Sequence, residues 1–331
     1  MEIIHGLDQL KKPFISPVVT LGNFDGVHLG HQKIFQRVRE EASRIKGEGV
    51  VITFEHHPLK VLIPEKCPPL LTPFRKKMIL MERAGTEIVL CIEFSKAFSE
   101  IPPAQFAREV LIEKVRARKI IVGYDYRFGK RRGGDAKALK AIGESFNVEV
   151  EVVPPIQIDG MTVSSSKIRE LINEGQVDQA SILLGKDYPI IGRVVEGSRR
   201  GHQLGFPTAN LAISEELYPK TGVYAVEVEW RGRPFNGLAN VGFNPTFLPS
   251  EGEGRDQGHF SLEVYILNFD QMIYGEEIEV RFIKRIREEV RFDTPSRLVE
   301  QIRRDRMWAE ENVFRKRPSP PNESTWPASP I

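Results

Sequence analysis

The hydrophobic pattern of this sequence changes near residue 185, and that change constrains the fold more than any other feature. Before it, short runs rich in valine and isoleucine, such as 18–21 and 50–54, alternate with stretches whose apolar residues recur at helical spacing. Strands that alternate with helices predict βαβ units and a parallel sheet with both faces covered. Two short helices, expected at about 166–174 and 177–184, end this part of the chain.

After Gly185 the pattern is that of β-strands separated by glycine, proline and asparagine. The β-patterned segments are 188–195, 222–230, 233–241, 259–267 and 277–286. This spacing is typical of an antiparallel barrel or sandwich, which a helix from about Pro295 to Glu311 would close. We therefore expect an α/β domain over 1–185, an all-β domain over 186–315 and a disordered, proline-rich tail over 316–331.

Composition argues against several classes of protein. The 331 residues are 40% hydrophobic and 28% charged, and their formal net charge of +2 is too mild to predict nucleic-acid binding. The two cysteines, Cys67 and Cys91, provide neither a disulfide framework nor the spacing of a four-ligand metal site. The sequence shows no signal-peptide pattern and no uncharged apolar run long enough to cross a bilayer. We therefore expect a cytoplasmic protein with neither a nucleic acid nor a membrane as its partner.

The densest motif of the first half is GNFDGVHLGH, at residues 22–31, directly after the strand at 18–21. Ligands of open parallel sheets bind beyond the carboxyl ends of the strands, and glycines beside a helix N-terminus let phosphate approach the backbone. His28 and His31 are three residues apart, so both can face one phosphate chain and donate hydrogen bonds to oxygens that gain charge as pyrophosphate leaves. An isolated His-x-x-His is more often a surface or turn feature, so the whole segment carries this interpretation.

Three more segments of the first half end strands or begin helices. TFEHHP, at 53–58, and VGYDYRFG, at 122–129, each lie where a strand ends. SSSKIR, at 164–169, begins a helix, where hydroxyls, backbone amides and an arginine one turn on can bind phosphate. An ordinary helix cap and an ordinary turn aspartate at Asp125 are the alternatives.

The second half carries one dense motif, GSRRGHQLGFPTANL, at residues 197–211. It lacks the spacing of a P-loop. Thr208 and Asn210 are two residues apart, so in an extended chain their side chains point the same way. A hydroxyl and an amide carbonyl are the hard oxygen ligands that suit Mg²⁺. Outside such a glycine-rich segment Thr-x-Asn is too common to mean anything.

These motifs resemble those of the bacterial bifunctional riboflavin kinase/FAD synthetases, and the resemblance runs from about residue 15 to 312. Residues 22–31 are similar to the HxGH element of nucleotidyltransferases in its FAD-synthetase form, and 207–210 resemble the PTAN motif of riboflavin kinases. The resemblance implies a Rossmann-like N-terminal nucleotidyltransferase domain and a C-terminal antiparallel β-barrel kinase domain with a closing helix. The kinase would convert riboflavin and ATP to FMN, and the adenylyltransferase would convert FMN and a second ATP to FAD and pyrophosphate, both with Mg²⁺.

The resemblance also implies roles for individual residues. In the first domain it implies catalysis by His28 and His31, ATP contacts from Gly22, Phe24, Asp25, Gly30, Ser164, Ser165 and Arg169, and FMN contacts from Asp125 and His57. In the second it implies a catalytic base at Glu263, Mg²⁺ ligands at Thr208 and Asn210, ATP contacts from Gly197, Gly201, Gly205 and Pro207, and a flavin contact from Arg291. An outward-facing strand carboxylate is the alternative for Glu263.

Departures from the family pattern leave other interpretations open. His202 stands where the family usually has arginine, and Tyr265 and Asn268 replace histidine and aspartate, so a chain with one active site is an alternative. Others are a flavin or nucleotide sensor, nucleic-acid binding through the arginines of 303–306, and a transferase acting on another phosphate. The sequence does not decide whether the chain forms a weak homo-oligomer.

Overall fold

A computed structural model describes residues 1–10, 12–197, 204–212, 214–244 and 259–317. The chain divides into two compact units, Met1–Ile168 and Arg169–Ile331. In the described part of the chain, none of the helices combines the length and the apolar character of a membrane span. The expected disordered tail lies outside the described residues from position 318 onward.

The first unit is built on a parallel sheet. Its strands are β1 (Glu2–His5), β2 (Val18–Leu21), β3 (Gly49–Phe54), β4 (Ile88–Ile92), β5 (Lys119–Gly123), β6 (Arg127–Phe128), β7 (Gly134–Asp135), β8 (Glu149–Val153), β9 (Gln157–Ile158) and β10 (Met161–Thr162). Six of them form one sheet in the order β1-β4-β3-β2-β5-β8, and every neighbouring pair is parallel. The pairs β6–β7 and β9–β10 are small antiparallel hairpins.

Helices cover this sheet. They are α1 (Leu29–Arg44), α2 (Pro58–Leu62), α3 (Phe74–Arg83), α4 (Lys96–Ser99), α5 (Pro103–Phe106), which continues as a π-helix over Ala107–Lys114, and α6 (Ala136–Ser145). Short 3-10 helices occupy Leu7–Gln9, Pro64–Lys66 and Lys130–Arg132. Helix α7 (Ser165–Asn173) begins at the end of this unit.

The central strand β2 shows why the sheet is covered on both faces. All four of its residues are buried, as expected for a continuous apolar run in the middle of a parallel sheet. Successive side chains of a strand point to opposite faces. Accordingly, Val18 packs with Ile34 and Val38 of α1, whereas Val19 packs in a second cluster with Leu111 and Ile120.

The second unit is a barrel. Its strands are β11 (Tyr188–Val195), β12 (Thr208–Leu211), β13 (Gly222–Trp230), β14 (Arg233–Asn244), β15 (His259–Ile266) and β16 (Glu277–Arg287). They close in the order β11-β12-β15-β14-β13-β16, and all neighbouring pairs are antiparallel. Strand β12 pairs with β11 only through Val194–Leu211 and Val195–Asn210 among the described residues.

Two helices pack on the barrel. Helix α8 (Val177–Leu184) buries Val177, Ala180, Leu183 and Leu184 and packs against β16 and β11. It ends at Gly185, whose φ of 70° places it in the left-handed region that glycine favours at a helix end. Helix α9 (Pro295–Asn312) begins with Thr294 as its cap, and a 3-10 helix at Phe314–Lys316 follows it. The predicted fold class, a parallel α/β part followed by an antiparallel barrel with a closing helix, is confirmed.

Candidate active sites

Residues 22–31 form an unusual turn at the carboxyl end of β2. The φ angles of Phe24, Gly26 and Val27 are 50°, 89° and 43°, in the left-handed region. Residues other than glycine seldom adopt it, and they persist there only when their surroundings hold them. Phe24 is 3% exposed, and its ring packs edge-on against Phe35, with ring centroids 4.9 Å apart. A Cβ at Gly22 would lie 2.9 Å from the Phe24 ring, so glycine is needed at this position.

Asp25 ties this turn to the chain before α3. Its buried carboxylate accepts hydrogen bonds from the backbone N–H of Leu71 at 3.1 Å and of Thr72 at 2.8 Å. The Thr72 hydroxyl donates a third hydrogen bond to it at 2.8 Å and itself accepts one from Gly26 N–H at 2.9 Å. Asp25 therefore fixes the shape of the turn, and its predicted contact with ATP stays a prediction.

His28 and His31 form one stacked pair at the N-terminus of α1. Their ring centroids are 3.5 Å apart and the rings are inclined by 20°. His28 is buried and caps the helix, because its Nδ1 accepts a hydrogen bond from His31 N–H at 3.4 Å. A Cβ at Gly30 would lie 3.1 Å from the His28 ring, so a larger residue would displace it. The N-terminus of a helix attracts anions, so the pair stands where a phosphate would be favoured.

The start of α7 lies against the same turn. The Ser165 hydroxyl donates a hydrogen bond to the Asp25 carbonyl at 2.9 Å, and the Ser164 hydroxyl accepts one from Lys167 N–H at 3.2 Å. Arg169 follows one turn later on the helix. Within the first unit, the structure thus brings Ser165 against the turn of residues 22–31, and Ser164 also serves as the helix cap that was the alternative interpretation.

The two predicted FMN contacts lie at the ends of other strands. Asp125 is exposed just beyond β5, and a Cβ at Gly123 would lie 3.3 Å from its Oδ1. His57 follows β3 and caps α2, since its Nδ1 accepts a hydrogen bond from Leu59 N–H at 3.1 Å. Both roles stay predictions.

An aromatic cluster that the sequence analysis did not identify lies at the same edge of the sheet. Its neighbouring rings have centroids 5.2 to 6.2 Å apart, and its members are Phe54, Phe94, Phe98, Phe106, Tyr126 and Phe128. Tyr126 stacks on Phe128 at an angle of 13°, and burial raises the pKa of its phenol well above the usual range. The cluster extends the apolar core beyond the ends of β3 and β5, because Phe106 and Phe128 are buried and Phe54, Phe98 and Tyr126 pack against the core in a partly buried state. A general strand pattern could not predict it, because its members are distant in sequence.

Lys77 is a further residue of this region that the sequence pattern does not reveal. It lies on α3, it is 4% exposed, and its Nζ donates hydrogen bonds to Phe54 O at 2.7 Å, Asn23 O at 3.2 Å and Thr53 Oγ1 at 3.2 Å. It therefore joins the turn after β2 to the end of β3. Its place in an apparently ordinary helical run gave no signal in the sequence.

The barrel carries a row of polar side chains across three adjacent strands. Glu263 of β15 lies opposite Asn210 of β12 on one side and opposite Asn240 of β14 on the other. Directly opposed residues of antiparallel strands have their Cβ atoms about 4.5–5.5 Å apart. Thr208 is likewise opposite Tyr265. The register therefore brings the predicted base Glu263 and the predicted ligands Thr208 and Asn210 to one face, with Asn240 added.

Thr208 lines two cavities of the barrel. One, of about 400 Å³, is lined by Thr208 and Glu263 together with apolar side chains that include Phe206 and Leu238. The other, of about 340 Å³, is lined by Pro207, Thr208 and the segment from Phe269 to Tyr274. Thr208 is therefore common to the linings of both spaces.

An ion pair with a buried carboxylate lines the larger cavity. Asp305 of α9 is 3% exposed and accepts hydrogen bonds from Arg287 Nη2 at 2.8 Å and from Gln301 at 2.9 Å. Val290 and Phe292 line this cavity, whereas Arg291 between them is exposed, so its predicted flavin contact stays a prediction.

The predicted ATP-contacting glycines of the barrel have different structural reasons for being glycine. A Cβ at Gly197 would clash with the Asn210 side chain, so this glycine lets the backbone pass close to the amide. Gly205, with a φ of 81°, needs the conformational freedom of glycine. Gly201 and His202 lie outside the described residues.

Comparison with known proteins identifies the family. The model of FAD synthetase matches residues 11–167, and the model of riboflavin kinase matches residues 184–313. A protein of Escherichia coli strain K12 named bifunctional riboflavin kinase/FMN adenylyltransferase is 34% identical over 313 residues, which cover 94% of this chain and 97% of that protein. This chain belongs to that family.

Other members of the bifunctional family are equally similar. The Bacillus subtilis strain 168 protein of the same name is 35% identical, over 93% of this chain and 96% of its own length. The Buchnera aphidicola protein from Schizaphis graminum is 36% identical over 92% and 96%. A crystal structure described as a macrolide-efflux protein from Streptococcus pneumoniae has a TM-score of 0.82 at 32% identity, and covers 94% of this chain and 99% of that one.

Proposed function

We propose that this chain makes FAD from riboflavin in two ATP-dependent steps, with a kinase in the barrel and an adenylyltransferase in the parallel-sheet domain. The observation that carries the proposal is that each compact unit has its own polar site and its own family match. We assign the adenylyltransferase to residues 1–185 and the kinase to residues 186–315. The free thiols of Cys67 and Cys91 are compatible with the reducing cytoplasm, which we propose as the location.

In the kinase, the flavin ring would occupy the larger cavity and the ATP the smaller one. Glu263 would accept the proton of the terminal ribityl hydroxyl as its oxygen attacks the γ-phosphorus, and ADP would leave. Asn210 and Asn240 are the residues opposite Glu263 on the two neighbouring strands, so neutral amides flank it. Because Thr208 lines both cavities, it would lie near the transferred phosphoryl group in this arrangement.

The donors in this site fit a magnesium ion. The Thr208 hydroxyl and the Asn210 amide carbonyl are hard oxygens on neighbouring positions of one strand face, and these residues would hold it. Bound there with the ATP phosphates, Mg²⁺ supplies neutralisation of phosphate charge.

In the adenylyltransferase, the FMN phosphate would attack the α-phosphorus of ATP, and pyrophosphate would leave. His28, His31 and the N-terminus of α1 would stabilise the charge that develops on the leaving pyrophosphate. The aromatic cluster at the same edge would hold the flavin ring by stacking.

Labelled ATP separates the two reactions. The full-length protein is incubated with riboflavin, Mg²⁺ and ATP, and the flavins are separated by chromatography. With ATP labelled in the γ-phosphate, both FMN and FAD should carry the label; with ATP labelled in the α-phosphate, only FAD should.

Each other outcome identifies what is wrong. Formation of FMN without FAD would support the kinase activity and contradict the adenylyltransferase activity. FAD from supplied FMN, but no product from riboflavin, would contradict the kinase. No labelled flavin from either substrate would reject both and return attention to a flavin or nucleotide sensor.

A further inference from the structure

Lys77 buries a cation that the proposed chemistry does not use. Its Nζ donates to Asn23 O, Phe54 O and Thr53 Oγ1, and an ammonium has three hydrogens to donate. All three acceptors are neutral oxygens. The lysine is therefore fully hydrogen-bonded, but its charge is not neutralised by a carboxylate hydrogen bond.

Burying a charge without a carboxylate partner costs free energy, and the pKa of Lys77 reflects this cost. Burial lowers the pKa of Lys77 to about 8. Two ionisable groups face it: Cys91 of β4, whose thiol pKa burial raises to about 11, and Asp25 of the turn, whose charge favours the protonated lysine. Neither forms a hydrogen bond to Nζ. An anion bound nearby would compensate this charge.

Lys77 joins two segments of the nucleotide site. Asn23 belongs to the turn of residues 22–31, and Phe54 ends β3 and begins the aromatic cluster. Both carbonyls lie at the carboxyl edge of the sheet, where ligands of such sheets bind. The ammonium thus holds the turn that carries His28 and His31 against the neighbouring strand.

We propose that Lys77 is a positioning residue of adenylyl transfer: its ammonium fixes the turn of residues 22–31 against the end of β3 and favours the anionic substrates there. The proposal rests on the proposed adenylyltransferase function. Anionic substrates should bind better when Lys77 is protonated. Their affinity should therefore fall as the pH rises through the pKa of Lys77 in the substrate-free enzyme, about 8.

Lys119 provides a matched control, because it is a buried lysine at the opposite edge of the same sheet. It begins β5, is 7% exposed, and forms ion pairs with Glu41, Glu149 and Glu151 at 3.1, 2.9 and 2.8 Å. Burial acts to lower the pKa of Lys119, but its hydrogen bonds to the three carboxylates outweigh burial and raise it; at Lys77, the charges of Cys91 and Asp25 do not outweigh burial. Lys119→Met should lower the midpoint of urea unfolding without changing the pH profile of the remaining activity.

The experiment measures FAD formation from FMN and ATP by full-length wild type, Lys77→Met, Lys77→Arg and Lys119→Met, from about pH 6.5 to about 9.5. Riboflavin phosphorylation by the same preparations is the internal control. The wild-type kcat/KM should fall above pH 8 through a rise in KM. Lys77→Met should lose about 10- to 100-fold in kcat/KM near neutral pH, which is the effect of one charge-assisted hydrogen-bonding group, and should lose the alkaline decline. Lys77→Arg keeps the charge and should retain activity at the alkaline end.

Either of two results would overturn the role of Lys77. One is Lys77→Met with kcat/KM and pH profile like the wild type. The other is Lys77→Arg with the same alkaline decline as the wild type, and this test holds even where Lys77→Met does not fold. A wild type that makes no FAD from FMN would instead overturn the proposed function itself.

Discussion

The two candidate sites are assembled in opposite ways. In the parallel-sheet unit, His28 and His31 come from one continuous segment, at the end of a central strand and the start of a helix. In the barrel, Asn210, Asn240 and Glu263 are far apart in sequence and meet because three strands pair in register. The first site is therefore set by local turn geometry, and the second by the pairing of the whole barrel.

The chemistry of the two reactions explains the contents of the two sites. The phosphate of FMN is largely ionised at neutral pH, so adenylyl transfer has a nucleophile ready and needs charge stabilisation of the leaving group. A ribityl hydroxyl is neutral, so phosphorylation needs a group to accept its proton. We propose that the histidine pair and the helix N-terminus serve the first need, and that the carboxylate of Glu263 serves the second.

The largest expected effect tests the base. Glu263→Ala should reduce FMN formation from riboflavin by about 10²- to 10⁴-fold, which is the usual contribution of a general base, and leave FAD formation from FMN unchanged. Glu227→Ala is the control, because Glu227 is a strand carboxylate of the same barrel that pairs with Arg281 at 2.8 Å. Initial rates of both reactions give the answer. Unaltered FMN formation would mean that another group accepts the proton and that the comparison of the two chemistries is mistaken.

The next effect tests the charge stabilisation. His31→Ala should reduce FAD formation by about 10²-fold through loss of one donor to the leaving group, with FMN formation unchanged. The control is His5→Ala, at the end of the edge strand β1, which should change the rate of neither reaction. Single-turnover rates with saturating ATP are the measurement. FAD formation at the wild-type rate would remove His31 from the mechanism.

The smallest effect sharpens the statement that the first site is set by turn geometry. Asp25→Asn keeps the size of the side chain but turns one oxygen into an N–H donor facing the donors of Leu71 and Thr72. We expect the free energy of unfolding of this unit to fall by about 1–3 kcal/mol and kcat for FAD formation to fall about 10-fold, with the KM for ATP little changed. Urea unfolding and steady-state kinetics test this. A large rise in the KM for ATP at unchanged stability would restore Asp25 as a direct ATP contact.

Much of the fold follows from hydrophobic pattern. The switch near Gly185 gave the order of the two architectures, because period-2 and helical patterns reflect which faces of each element are buried. The short strands were harder. The edge strand Glu2–His5 is mostly exposed, so it lacks the apolar run that marks β2. Strand β12 is four residues long and mixes small and polar side chains, so its pattern was read as a motif and not as a strand.

The site residues likewise fall into those that a local sequence pattern reveals and those that it does not. The motif residues around His28 and Thr208 were found because their residue types are dense and contiguous. Lys77 and Asp305 were not, because a buried lysine and a buried aspartate look like surface charges until their partners are known. Those partners, Phe54 and Arg287, are set by tertiary contacts that no local window contains.

The short pairing between β11 and β12 has a consequence for local stability. Strand β12 carries Thr208 and Asn210, yet only two residue pairs join it to β11 among the described residues, so its opening should require less free energy than that of the long ladders elsewhere in the barrel. Substrates that bind this strand would also protect it, since a ligand stabilises the conformation it binds. We therefore expect the strand that carries the proposed ligands Thr208 and Asn210 to open locally in the absence of substrate, and bound substrate to keep it paired.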